Sequence, residues 1–84
     1  MMTAEEKRER ERLALEAARL TTDSTLLTAI DRIRQQAVDA LIAADATDSA
    51  AIIRQQAKVT ICDDFMAELK TMIELQAIET RFPN

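Results

Sequence analysis

Residues 48–80 read DSAAIIRQQAKVTICDDFMAELKTMIELQAIET, and this stretch decides the fold. Its apolar residues Ile52, Val59, Cys62, Met66, Leu69, Ile73 and Ala77 recur mostly at steps of three and four, the period of one face of an α-helix. The spacing predicts one long helix over 48–80. Phe65, Met72 and Ile61 lie along a flank of this stripe, widening the apolar arc to roughly half the circumference. One partner helix does not cover an arc of that width. It calls for an intrachain helix plus a further surface, most simply a second copy of the chain or another protein. Val59, Cys62, Phe65, Met66, Leu69, Met72, Ile73 and Ala77, together with Phe82 beyond the helix, are therefore the candidate interface residues.

Upstream of this helix, Asp45-Ala-Thr-Asp-Ser is a short polar break, and Asp45 or Thr47 is the expected cap of the long helix. A connection so short folds its two helices back on each other as an antiparallel αα-hairpin. The second helix of the chain, over 24–44, carries a narrow seam of Leu26, Ile30, Ile33, Ala37, Leu41 and Ala44, flanked by Leu27, Val38 and Ile42. Its small residues Ala37, Ala40, Ala43 and Ala44 allow a close helix approach. Thr22, Asp23 or Ser24 is its expected cap. The long helix outruns this partner, and the overhang around residues 66–78 needs cover from the first helix or from a second subunit.

The first helix is expected over 4–20, opened by a capping box of Thr3 and Glu6. From Glu5 to Arg12 it is almost wholly charged, with Glu6–Arg10, Glu5–Arg8 and Glu9–Arg12 spaced to pair on its surface. Apolar spacing begins at Leu13 and continues through Ala17 and Leu20, with Leu15 and Ala18 beside it. The helix thus has a solvated half and a docking half. The tail Arg81-Phe82-Pro83-Asn84 reads either as an unstructured end or as a short motif that inserts an aromatic ring into a partner, and Pro83 forbids further helix.

Composition narrows the function. With no Gly, Trp or Tyr and one Pro, the 84 residues lack the tight-turn residues of a β architecture, and the fold class is all-α with three helices in a single small domain. A chain of this length buries a sufficient core with difficulty, and oligomerisation is a common remedy. The hydrophobic fraction is 48%, but much of it is alanine, which favours helix while burying little area. No His is present, which removes the usual general base and the commonest metal ligand and argues against an enzyme. Neither a cofactor nor a metal is expected. Asp64 and Glu68 share a helix face, but Cys62 and Met66 lie opposite, so thiol and carboxylates do not converge. Cys62 reads as a small core residue without an activating neighbour.

The net charge of −4 resides wholly in residues 21–84; the first twenty residues carry five basic and five acidic groups. That balance argues against nucleic acid as a partner. A lone Cys fits a reducing compartment, and neither a secretory leader nor a membrane-spanning run is evident, so a cytoplasmic location is expected. The pentapeptide Ile-Arg-Gln-Gln-Ala occurs at 33–37 and again at 53–57, by coincidence or through a shared packing demand, without the third unit that a solenoid requires.

Taken together, Leu26-Leu27, Ala29-Ile30, Ala40-Leu41, the Asp45–Ser49 turn, Arg54-Gln55-Gln56-Ala57-Lys58, Phe65 and Leu69-Lys70-Thr71-Met72-Ile73 resemble short helical-hairpin proteins of tailed-bacteriophage head and portal gene modules. The resemblance covers roughly residues 20–75. It implies a small virion or head-assembly component that works through contacts with itself or with other phage structural proteins, without enzymatic activity. It implies no individual functional residues. Two other readings compete. One is a DNA-packaging regulator similar to a small terminase subunit, using Arg8, Arg10, Arg12 and Arg19 assembled in a ring. The other is an acidic inhibitor of a host defence protein, for which Asp31, Asp39, Asp63 and Asp64 are the candidate carboxylates.

Overall fold

The computed structural model describes residues 2–81, with side chains through residue 78. Three helices run in order, α1 (Ala4–Leu20), α2 (Ser24–Ala43) and α3 (Ser49–Arg81), and no strand occurs among the described residues. The all-α reading holds, with each helix boundary within one residue of the sequence expectation. Phe82, Pro83 and Asn84, including the aromatic of the expected tail motif, lie outside the described residues.

Each helix end follows from local chemistry. Thr3 has extended backbone, and its Oγ1 accepts from the Glu6 amide at 3.1 Å, which is the Thr3 half of the expected capping box. No positive φ occurs among the described residues, as a chain without Gly would favour. The end of α1 is instead closed by threonine hydroxyls: Thr21 Oγ1 donates to the Ala18 carbonyl at 2.7 Å and Thr22 Oγ1 to the Arg19 carbonyl at 2.8 Å. These occupy carbonyls that a helix terminus leaves without intrahelical partners.

At the start of α3 the capping residue is Asp48, whose Oδ1 accepts from the Ala51 amide at 3.1 Å. This corrects the expectation of Asp45 or Thr47. Asp45 organises the turn itself, its Oδ1 accepting from both the amide and the hydroxyl of Thr47 at 2.8 and 2.7 Å. Those bonds hold the Asp45 carboxyl below its ordinary pKa of 3.8, the Thr47 hydroxyl contributing most. The two candidate residues are thus occupied with each other, and the cap falls to the next carboxylate along the chain.

The chain forms two compact helical units. One comprises residues 24–65, that is α2 with the first half of α3. Here Ala37 and Cys62 are buried, with Leu26, Leu27, Ile30, Leu41, Ile52 and Val59 half-buried. Arg34 and Asp63, 29 residues apart in sequence, meet at 2.9 Å. Two residues so far apart on one continuous helix would stand about 44 Å from each other, so this contact and the short 44–48 connection bring α3 back along α2 as an antiparallel pair. The seam of α2 runs through Ile30, Arg34, Ala37 and Leu41, with Arg34 in the place expected for Ile33, which is half exposed. Both choices satisfy a three-four spacing. The one adopted sets the Arg34 guanidinium on Asp63.

The other unit comprises residues 2–23 with 66–81. Ala14, Ala17 and Leu69 are buried there, and Met66, Met72, Ile73 and Gln76 are half-buried. Of the two covers expected for the overhang of the long helix, this unit supplies the first, the docking half of α1. It does so through Ala14 and Ala17, whereas Leu13 stands at the edge and Leu15 is exposed. Along α3 the positions Ile52, Gln55, Val59, Cys62, Met66, Leu69, Ile73 and Gln76 are protected at alternating steps of three and four, with Ala51 and Met72 half-buried beside them. That is the heptad period of a two-helix seam. Gln55 and Gln76 occupy it where the apolar pattern alone passed them over, and Ala77 is exposed.

Candidate interaction surface

The core explains why a further surface matters. Only Ala14, Ala17, Ala37, Cys62 and Leu69 are buried among the described residues, three of them alanines, and no large side chain is completely enclosed. Alanine seams let helices approach closely, but each contributes little apolar area. Several larger aliphatic and aromatic groups remain outside: Ile33, Ile42, Ile53, Ile61 and Phe65 in the unit built on α2, and Leu13, Leu15, Leu75 and Ile78 in the unit built on α1.

The nine expected interface residues therefore divide. Cys62 and Leu69 are buried by the chain's own helices, so they are core, and no second molecule is needed to cover them. Val59, Met66, Met72 and Ile73 are half-buried along or beside the same seam. Phe65 and Ala77 are exposed, Phe65 at 43%. Phe82 lies outside the described residues. What remains accessible is the flank of the expected face, and it includes Ile61 at 66% and Leu75, which the interface set did not contain. The sequence carries a signal for Ile61, which lies on the flank with Phe65 and Met72, but the stripe does not include Leu75. A seam confined to one narrow stripe leaves such a flank uncovered.

In the unit built on α1, Leu13, Met72 and Leu75 line an open groove of about 410 Å³ together with Met2, Glu6 and Arg10. A second depression, about 550 Å³, is walled by Met66, Ala67 and Ile73, with Thr21, Lys70 and Glu74 at its edges. Both are lined mainly by flexible or aliphatic side chains, the character of protein-contact surfaces.

Charge on α1 is largely neutralised in place. Arg12 pairs with Glu9, and Arg19 with Glu16 at 2.9 Å, each one helical turn away. The bond from Arg12, reinforced by its charge, holds the Glu9 carboxyl below its usual pKa of 4.5. Lys70 and Glu74 on α3 approach to 3.8 Å. Guanidinium groups tied to neighbouring carboxylates project a weak field, and Arg12 and Arg19 of the ring-assembled DNA-binding reading are engaged in this way. On α2, the hydrogen bond to Asp63 and then its charge keep the Arg34 guanidinium pKa above its ordinary value. Asp63, a candidate carboxylate of the acidic-inhibitor reading, is thereby engaged as well.

Among the described residues, no group of three or more Cys, Asp or Glu side chains is placed to hold a metal ion, and no helix is long and apolar enough to cross a membrane. The two Ile-Arg-Gln-Gln-Ala segments do not share a register. The first directs Arg34 and Ala37 to the seam, whereas the second directs Gln55 and leaves Ile53 and Arg54 exposed, so a common packing demand does not explain them. No protein-family model, curated protein or solved structure matches the chain.

Proposed function

We propose that this chain is a non-enzymatic helical interaction protein that acts by self-association, as a small structural or assembly component of a tailed-bacteriophage head. One observation carries the self-association. Among the described residues the buried set is Ala14, Ala17, Ala37, Cys62 and Leu69, while Ile33, Ile61 and Phe65 in one unit and Leu13, Leu15, Leu75 and Ile78 in the other are exposed. Burying such aliphatic and aromatic groups against one another is the dominant favourable contribution to association. The phage setting rests on the resemblance over residues 20–75, and the absence of His supports a role without acid–base catalysis.

The concentration dependence of thermal unfolding tests the reading. A chain stabilised by its own copies has an unfolding midpoint that rises with protein concentration, because association draws the equilibrium toward the folded state. Helical circular dichroism followed over a hundredfold range of concentration should show the midpoint climbing. A midpoint that stays fixed over that range contradicts self-association.

A further inference from the structure

On α2 the residue that the seam protects is not the one nearest its buried centre. Counted at about 100° per residue from Ala37, Ile33 lies about 40° to one side, while Arg34, Leu27 and Val38 lie about 60–100° to the other. Ala37 is buried and Arg34, Leu27 and Val38 are half-buried, yet Ile33 is 50% exposed. An arginine thus holds a place that an isoleucine nearer the centre would fill by burial alone. What favours Arg34 there is Asp63 on α3, whose Oδ1 accepts from its Nε at 2.9 Å. Both residues belong to the unit of residues 24–65, so the whole arrangement lies within one compact body.

Turning α2 about its own axis by roughly 50° centres Ala37 on the seam. Ile33 then moves in beside Cys62, and Arg34, Leu27 and Val38 move outward. Apolar burial changes little, since an isoleucine enters as a leucine and a valine withdraw. Small rotations of packed helices are an established way for a protein to switch. Arg34 does not go unpaired in the second setting, because Asp31 stands three residues before it, the spacing of an ion pair on a helix surface. We infer that α2 has two rotational settings on α3, and that the Arg34–Asp63 pair is the latch that selects the one with Ile33 outward. With the latch closed, α2 presents an isoleucine on one flank. With it open, that residue is withdrawn and the Arg34 guanidinium turns out on the opposite flank. One partly exposed ion pair decides between settings only where they are otherwise near balance, and the exchange of Ile33 against Leu27 and Val38 supplies that balance. Salt, or a cation that competes for Asp63, then changes what α2 displays.

Asp63→Ala opens the latch, and Asp64→Ala is its control, removing the same charge from the next position. With the isoleucine δ1 methyls of the full chain labelled, a soluble paramagnetic probe at one fixed protein concentration reads the exposure of Ile33, and the 64% exposed Ile53 is the reference. Asp63→Ala should move the ratio of the two settings roughly two- to fivefold toward the inward one, the range that a partly exposed ion pair supplies. Ile33 should then broaden less and gain contacts with Cys62, while in Asp64→Ala it behaves as in wild type. High salt should move the wild-type Ile33 signal in the same direction as Asp63→Ala. Helicity should be unchanged in both variants, since both positions are exposed on a helix. An Ile33 exposure that stays the same in Asp63→Ala overturns the latch, as does an equal change in Asp64→Ala. Should Asp63→Ala lose helicity, the salt series on wild type decides, and an Ile33 signal that does not respond to salt overturns the proposal.

Discussion

Replacing Leu69 by Ala probes the intrachain seam directly. Leu69 is the one large aliphatic side chain in the buried set, at 7% exposure. Truncation removes three carbon groups from the core, about 2.4 kcal/mol at 0.8 kcal/mol per carbon, before any cavity is counted. Leu→Ala changes in cores span about 2–5 kcal/mol, depending on how far the surroundings collapse into the space. The half-buried neighbours on the same helix include Met66 and Met72, whose unbranched side chains adapt readily, so the lower part of that range applies: about 2–3 kcal/mol. A chain of 84 residues has a total stability of about 4–12 kcal/mol at the usual value per residue, so the loss is a large fraction of the whole. Urea unfolding followed by helical circular dichroism, at one fixed protein concentration, measures it. Leu15→Ala is the control, because Leu15 is 73% exposed and its truncation should stay within about 0.5 kcal/mol of wild type. A cost at Leu69 below that of Leu15 would refute the assignment of Leu69 to the core.

Thr3→Ala should weaken the first turn of α1 by about 1 kcal/mol, read as faster amide exchange at Glu6, the donor to the Thr3 hydroxyl. The Asp45 carboxyl has a lowered pKa in the folded chain, so its contribution to stability is present above the ordinary value of 3.8 and is lost as pH falls through the lower folded value. Asp45→Asn should therefore reduce stability at neutral pH, and the gap from wild type should close as the solution is acidified below that range. A gap that is independent of pH would contradict the role of the carboxylate. A double-mutant cycle on Arg34 and Asp63 should give a favourable coupling that shrinks in high salt, since both side chains are partly exposed at their 2.9 Å contact. Zero coupling at low salt would remove this pair from the forces that set the register of α2 on α3.

The helices were legible because their signals are local. Thr3 with Glu6, the Thr-rich break before Ser24 and the Asp-rich turn before Ser49 each mark an end by side-chain chemistry that acts over a few residues. The seam was legible only in part. Apolar periodicity selected Ile33 over Arg34 and passed over Gln55 and Gln76, because a helix wheel weighs polarity and carries no information about what a carboxylate on another helix can bind. The interface set was drawn from one continuous apolar arc. The two-helix seam divides that arc by a third-of-a-turn rotation, with Leu69 and Cys62 on the inside and Phe65 and Ile61 on the outside. The narrowness of the seam comes from Ala14, Ala17 and Ala37, residues that a count of hydrophobics treats like any other but that leave the flanks of α3 uncovered.

A consequence for interface mutagenesis follows from the same division. Leu69→Asp places a carboxylate in the chain's own core, and it should unfold the helix pair rather than separate intact subunits. Charges introduced at Phe65 or Ile61 act on the exposed flank and leave the seam intact.

The central claim, that the chain buries its exposed apolar side chains against copies of itself, is tested most directly by its molar mass in solution, measured by light scattering on a size-exclusion column across a wide range of loading concentrations. The account predicts twice the 9.4 kDa of one chain, or a larger whole multiple, retained on dilution until the dissociation constant is reached. A mass of one chain at every concentration would contradict it.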